Sequence, residues 1–269
     1  MKIVLLGTAG YHPNERRHTA CVMLPQLGVI LDAGTSMYRV RQHLATDELD
    51  IFLSHAHLDH VVGLTFLLDV LYQRPMRRVT VHADEHTLSA IDEHLLATAM
   101  FPAKLPCEFR PLPAEASTAE ANTVKTTGAD AAAAADRGID VAGGGRVTWF
   151  PLVHPGGSTG FRLDWPERSL AYVTDTTADA SADYLQRIRG VDLLLHECNF
   201  RDDQQDFARR TGHSFATAVA QVAAAANVGR LVLLHFNPLE ESDDPVGLAT
   251  MRAIFPATDL GADEMEVEF

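Results

Sequence analysis

Four metal-capable side chains fall within six residues in Ser54-His55-Ala56-His57-Leu58-Asp59-His60, directly after the apolar run 51–53. In an extended backbone His55 and His57 project to the same side, so both can reach one ion. A turn at Leu58 lets Asp59 and His60 face a second ion, ahead of a helix starting around Val61. Three more metal-capable residues each close an apolar run: His154 after 149–153, Asp175 after 170–173 and His235 after 231–234. Ligands mounted at the ends of rigid, buried strands hold their geometry. Imidazole suits zinc, manganese or iron, and one carboxylate can bridge two divalent ions. The set divides into one site of His55, His57, His154 and Asp175 and a second of Asp59, His60, Asp175 and His235. Asp175 bridges, and Asp59 counts as both ligand and catalytic residue. Two such ions lower the pKa of a water between them towards ~7 and clamp the attacking and leaving oxygens of a phosphoryl group. Cys21, Cys107 and Cys198 neighbour none of these motifs, which argues against a thiolate zinc site.

Short β-rich runs must carry these residues: 3–6, 22–24, 29–31, 51–53, 79–82, 147–153, 161–163, 170–173, 193–195 and 231–234. Helical patterns at 35–44, 61–72, 84–98, 178–188 and 214–226 separate some of them. The last is Ala-rich, with Ser214 as its N-cap and an end near Asn227 and Gly229. Strand clusters alternating with helices in both halves predict sheets covered by helices, an α/β class. The chain reads as one domain over 1–269. Residues 111–145, with Pro-Leu-Pro, an Ala run and Gly143-Gly144-Gly145, read as a surface insertion; the sharper alternative is a substrate-gripping arm, poorly supplied with bases.

The 269 residues are 46% hydrophobic and 22% charged, which excludes wholesale disorder and collagen-like repeats. No apolar run approaches the ~20 residues of a membrane-spanning helix. The first residues lead straight into a strand rather than a secretory signal, and three dispersed cysteines fit a reducing cytoplasm. Net charge is −14. An acidic segment, 239–269, holds nine acids against Arg252 alone, so more than half of that charge sits there. Such a balance repels nucleic acid at long range without forbidding a local phosphate contact.

His55-Ala56-His57-Leu58-Asp59-His60, then a lone His, an Asp and a last His, resembles the metallo-β-lactamase fold hydrolases over nearly the whole chain. Leu5-Leu6-Gly7-Thr8-Ala9-Gly10 and Leu31-Asp32-Ala33-Gly34 match as well. The resemblance implies a four-layer αββα sandwich with a dinuclear site at one edge of the sheets. It makes Asp32 a structural anchor rather than a ligand. Leu195-His196-Glu197-Cys198-Asn199-Phe200 followed by Gly212-His213-Ser214 is similar to the ribonuclease Z branch. That branch has a His-Glu-Ala-Thr stretch ahead of a Gly-His-Ser. The match gives Glu197 and His213 the role of a pair that protonates the leaving oxygen. A carboxylate beside an imidazole keeps it protonated near neutrality, and phosphodiester cleavage benefits from an acid at the departing alkoxide. The alternative is that Glu197 orients a ligand and His213 caps its helix.

The chain departs from the branch in having Cys198-Asn199 for Ala-Thr, no recognisable Gly- and Lys-rich arm, and an acidic balance. A tRNA precursor and a small cyclic diester therefore both stand as substrates. His154-Pro155-Gly156-Gly157-Ser158-Thr159-Gly160 either cradles a phosphate or forms a turn. Arg16, Arg17 and His18 either meet phosphate or sit on a solvated loop. His82, His86 and His94 read as a solvated helix face, His196 as a packed strand-end residue. The expected protein is a phosphodiesterase using two divalent ions, zinc first and manganese or iron otherwise, with a homodimer as a further expectation by analogy. Hydrolysis of lactone, thioester or β-lactam carbonyls and a non-catalytic metal-dependent sensor are the alternatives.

Overall fold

A computed structural model describes residues 1–113 and 138–269. Two seven-stranded mixed sheets face each other. The first runs in the order β14 (Met265–Glu268), β1 (Lys2–Gly7), β2 (Cys21–Leu24), β3 (Val29–Leu31), β4 (Glu48–Phe52), β5 (Arg78–Ala83), β6 (Glu108–Pro111). The second runs β13 (Thr258–Leu260), β12 (Arg230–Leu234), β11 (Leu193–Glu197), β10 (Arg168–Val173), β9 (Ser158–Trp165), β8 (Gly145–Leu152), β7 (Ile139–Val141).

Side-chain parity explains why the strands read as unbroken apolar runs. In β1, Ile3 and Leu5 join the core between the sheets, while Val4 and Leu6 join the core beneath the first sheet's helices. In β10, Leu170 and Tyr172 face the first sheet, and Ala171 and Val173 face helix Ala216–Ala226 and its neighbours. A strand covered on both faces carries no polar alternation. The sheets meet through rings such as Phe52 and Phe161, whose centroids lie 5.7 Å apart. Burying each contributes about 1.5–3 kcal/mol. The architecture is the expected αββα sandwich.

Strand direction positions the site. β3 to β6 are mutually parallel, as are β10 to β13. β8 is antiparallel to β9, which is antiparallel to β10, so β8 and β10 run the same way. The C-terminal ends of β4, β8, β10, β11 and β12 deliver their following residues to one edge.

Several expected elements differ. The helix after the His-rich loop begins at Leu58, not Val61, and continues as a 3-10 turn from Val62 to Phe66 before a second helical turn. Only Leu185–Ile188 of the 178–188 pattern is helical. Ser214 does not cap Ala216–Ala226: its hydroxyl donates to the Thr176 carbonyl and accepts from Ala178 N–H, tying two loops together. That helix does end at Asn227, in a left-handed conformation. Of the stretch 111–145, residues 114–137 lie outside the described residues. Its flanks end β6 and form β7, edge strands of the two sheets, because their short polar-apolar alternation suits an edge. The acidic 239–269 segment supplies helix Leu248–Ile254, β13 and β14. His82 lies within β5, buried, with Nε2 2.9 Å from Asp50 and its ring stacked on Phe52. It is therefore no part of a solvated face with His86. Among the described residues no helix is long and apolar enough to cross a membrane.

Candidate metal centre

The loop after β4 brings His55, His57, Asp59 and His60 to the shared edge, where β8, β10 and β12 deliver His154, Asp175 and His235. Donor atoms of His55, His57, His154 and Asp175 all lie within 4.8 Å of one another, as do those of Asp59, His60 and His235. His57 Nδ1 is 2.9 Å from His55 Nε2 and 3.4 Å from His154 Nε2. Asp175 stands between the groups. Its Oδ2 is 3.5 Å from both His55 Nε2 and His154 Nε2. Its Oδ1 is 3.3 Å from His60 Nε2 and 3.0 Å from His235 Nε2. Asp59 Oδ2 completes the second group at 3.3 and 3.4 Å from the same two nitrogens.

Backbone strain accompanies this convergence. Asp175 and His235, each just beyond the end of a strand, have φ of 44° and 58°, and Asp32 beyond β3 has 58°. Non-glycine residues in the left-handed region are uncommon and cluster where a site requires them.

Neighbouring groups orient the imidazoles. Asp32, fully buried, accepts from Ser54 N–H at 2.7 Å, Ser54 Oγ–H at 2.9 Å and Tyr172 O–H at 2.7 Å. It faces His60 Nδ1 at 2.8 Å. His154 Nδ1 donates to the Gly212 carbonyl at 3.0 Å, leaving Nε2 for the cluster. Asn199 Nδ2 donates to the His235 carbonyl at 3.1 Å and sits 3.3 Å from its Nδ1. Partners of this type fix tautomer and ring orientation in metal sites. Sequence reasoning found Asp32 by resemblance but missed Ser54, Tyr172 and Asn199. A lone hydroxyl-bearing ring in an aliphatic strand was the available signal for Tyr172.

The donor set fits divalent cations. Burial opposes charge on His60, yet Asp175, Asp59 and Asp32 hold its pKa well above the ordinary imidazole value. His235, likewise buried, is pushed up to about 10, chiefly by Asp175. Burial opposes ionisation of Asp59 and Asp175, and the facing imidazoles outweigh it, holding both carboxylates below their usual range. His55 and His154 shift the other way, lowered by burial. Buried carboxylates that draw protons onto imidazoles are sites where a cation can take the protons' place.

Beside the cluster, Glu197 is fully buried. Its Oε1 accepts from Thr176 N–H at 2.6 Å and lies 3.2 Å from His213 Nδ1; its Oε2 accepts from Ser214 N–H at 3.2 Å. Burial works against protonation of His213, and Glu197 overrides it, raising the pKa. His213 also lies within ligand reach of Asp175 and His235. A cleft of about 660 Å³ opens over the cluster, lined among others by Tyr11, Leu58, Pro155 and His213.

Both stretches that could meet phosphate make internal contacts. Gly156 and Gly157, both at φ 85°, form the β8–β9 turn. Gly157 N–H donates to the His154 carbonyl and Thr159 N–H to the Ser54 carbonyl, so neither amide is free for phosphate. Arg17 donates to Thr8 Oγ1 and the Gly261 carbonyl and lies over the Phe236 ring. Arg16 pairs with Asp243 and the Glu241 carbonyl, and His18 packs on Tyr38. His196 is packed as expected, with Nδ1 2.7 Å from the Glu197 carbonyl.

Residues 28–236 match the family described as Beta-lactamase superfamily domain. A ribonuclease Z of Synechococcus sp. (strain CC9902) is 29% identical, covering 100% of this chain and 98% of that protein. A ribonuclease Z of Bradyrhizobium sp. (strain ORS 278) is 30% identical, covering 97% of each. Among solved structures, the metallo-beta-lactamase fold protein YhfI from Bacillus subtilis superposes with a TM-score of 0.75 at 16% identity, over 100% of this chain and 99% of that one. Human tRNase Z, short form, superposes with 0.74 at 20% identity and the same coverage. Both share this fold.

Proposed function

The chain belongs to the beta-lactamase superfamily, on its ribonuclease Z branch, and from that premise we propose a phosphodiesterase dependent on two divalent cations, zinc first. His55, His57 and His154 would hold one cation, Asp59, His60 and His235 the other, and Asp175 both. Bound there, the cations supply Lewis acidity at the phosphoryl oxygens and a lowered pKa for the attacking water. Asp59, also bonded to Tyr11 N–H at 2.7 Å, orients the second group. His213 holds a proton on the cleft side of its ring while Glu197 keeps the imidazole charged and aimed. That proton goes to the leaving oxygen as the P–O bond breaks.

The single observation that carries the reading is the 3.2 Å Glu197–His213 pair beside the ligand cluster. Carbonyl hydrolysis would use the same ligands and a lactone also expels an alkoxide, so phosphorus is favoured because the pair lies in the Glu197 and Gly212-His213-Ser214 stretches that resemble the ribonuclease Z branch. The relatives' name supports RNA as substrate, either a tRNA precursor or a smaller diester. A homodimer is part of the same proposal. Metal-reconstituted protein should cleave 3′-extended tRNA or cyclic diesters and leave a lactone and a thioester nearly untouched. Preference for the lactone or thioester would overturn the reading.

A further inference from the structure

We infer that Tyr11 is the stacking platform for a nucleobase flanking the scissile phosphate. The inference deepens the phosphodiesterase reading and rests on it for the identity of the substrate.

Tyr11 is 80% exposed although it lines the cleft over the metal cluster. Its position is fixed from behind. Its N–H donates to Asp59 Oδ2 at 2.7 Å, and its φ is 60°, a left-handed value that a bulky side chain rarely adopts. Gly10, just before it, lies so close to the His235 ring that a Cβ there would sit 2.4 Å from the imidazole. The loop is thereby seated on one ligand and bonded to another. The His12 ring packs edge-on against Tyr11 with centroids 5.5 Å apart.

Exposed apolar side chains accompany it near the cleft. Leu58 is 66% exposed and lines the same cleft. Val153, 77% exposed, directly precedes His154, and Phe207, 49% exposed, lies one helical turn before Thr211 on the cleft wall. The loop's arginines are turned elsewhere, Arg16 to Asp243 and Arg17 to Thr8 and Gly261. Around Tyr11 the cleft offers flat apolar contact, and the arginines of its own loop are not free to track phosphates; further along, Arg210 lies over the Phe207 ring, 5.5 Å from its centroid. An aromatic face beside a phosphodiester site suits a nucleobase, since every base has a π-face to stack.

Two paired probes test this on the metal-reconstituted protein: thymidine 5′-monophosphate against 2-deoxyribose 5-phosphate for binding, and thymidine 5′-(p-nitrophenyl phosphate) against its abasic analogue for turnover. The base should tighten binding and lower KM by about 5- to 150-fold, the range of base–aromatic stacking. Tyr11→Asn keeps a residue tolerant of positive φ but removes the ring, and should abolish most of that difference. Tyr11→Phe should preserve it within about twofold, since the ring remains. Equal binding of the two monophosphates by the unaltered protein, or equal losses on both probes in Tyr11→Asn, overturns the inference. If the base-dependent binding persists while neither diester turns over, the stacking role stands and the phosphodiesterase reading falls.

Discussion

Asp32 Oδ2 lies 2.8 Å from His60 Nδ1, with both side chains fully buried. A carboxylate only accepts, so His60 presents Nδ1–H to Asp32 and turns Nε2 towards Asp59, Asp175 and His235. Asp32 also receives the Tyr172 hydroxyl, whose ionisation is suppressed by burial and by this carboxylate. One carboxylate between the sheets thus sets the orientation of His60 from outside the cluster. Asp32→Asn should weaken zinc affinity about 10- to 100-fold, the usual scale for such partners. Competition against a coloured chelator measures it; unchanged affinity would show that packing alone holds His60.

His57 lies on the rim, whereas His55 and His60 are buried. His57→Ala should lose metal and turnover together while the melting temperature of the metal-free protein barely moves, a change of about 0.5 kcal/mol or less. Metal analysis after gel filtration, run beside thermal melts, separates the two effects. Full metal content with lost turnover would remove His57 from the ligand set.

His213→Ala should retain its metal and lose turnover by about 10²- to 10⁴-fold on a diester with an alkoxide leaving group. The loss should shrink on a p-nitrophenyl diester, whose leaving group needs no proton. An equal loss on both substrates would assign His213 to metal binding, which its reach to Asp175 and His235 permits. Glu197→Gln should follow the same leaving-group pattern with added instability, because Glu197 also anchors Thr176 and Ser214 N–H.

Asp50, buried on β4, receives two hydrogen bonds of 2.6 Å from Arg78 and faces His82 at 2.9 Å. Burial opposes its ionisation, but the Arg78 and His82 contacts prevail and lower its pKa below the ordinary 3.8. A carboxyl depressed on folding contributes stability that is complete above its unfolded pKa and is lost as pH falls through the folded value. Urea midpoints should therefore be steady from neutrality to about pH 4–5 and then decline, and Asp50→Asn should flatten part of that decline. The variant should also cost about 1.5–3 kcal/mol at neutral pH, the scale of a charged hydrogen bond. An unaltered acid limb in Asp50→Asn would place the acid sensitivity elsewhere.

The convergence of the His55–His60 loop was legible because its four metal-capable residues fall within six positions, and that of His154, Asp175 and His235 because each follows a strand buried on both faces. Such strands leave a single polar residue visible at the tip of an apolar run. Tyr172 was not legible as a partner of Asp32, since 140 residues separate them and only the facing of the two sheets joins them. The edge strand β14 was hidden because Met265 and Val267 alternate with glutamates, which reads as a charged tail, and β13 because its three residues Thr258–Leu260 are too few to show a pattern. Helical periodicity over 61–72 predicted one helix; it could not reveal the 3-10 turn at Val62–Phe66, where Gly63 packs so tightly on Gly34 and Ala33 that no Cβ would fit. Neither sequence reading of Arg17, phosphate contact or solvated loop, could show its engagement with Gly261, which depends on residues far along the chain.

The most direct test of the central claim is anomalous diffraction from crystals of the zinc-loaded protein. A paired-cation site should give two peaks about 3.5–4 Å apart, one among His55, His57 and His154, the other among Asp59, His60 and His235, with Asp175 reaching both. A single peak, or zinc bound away from Asp175, would contradict it.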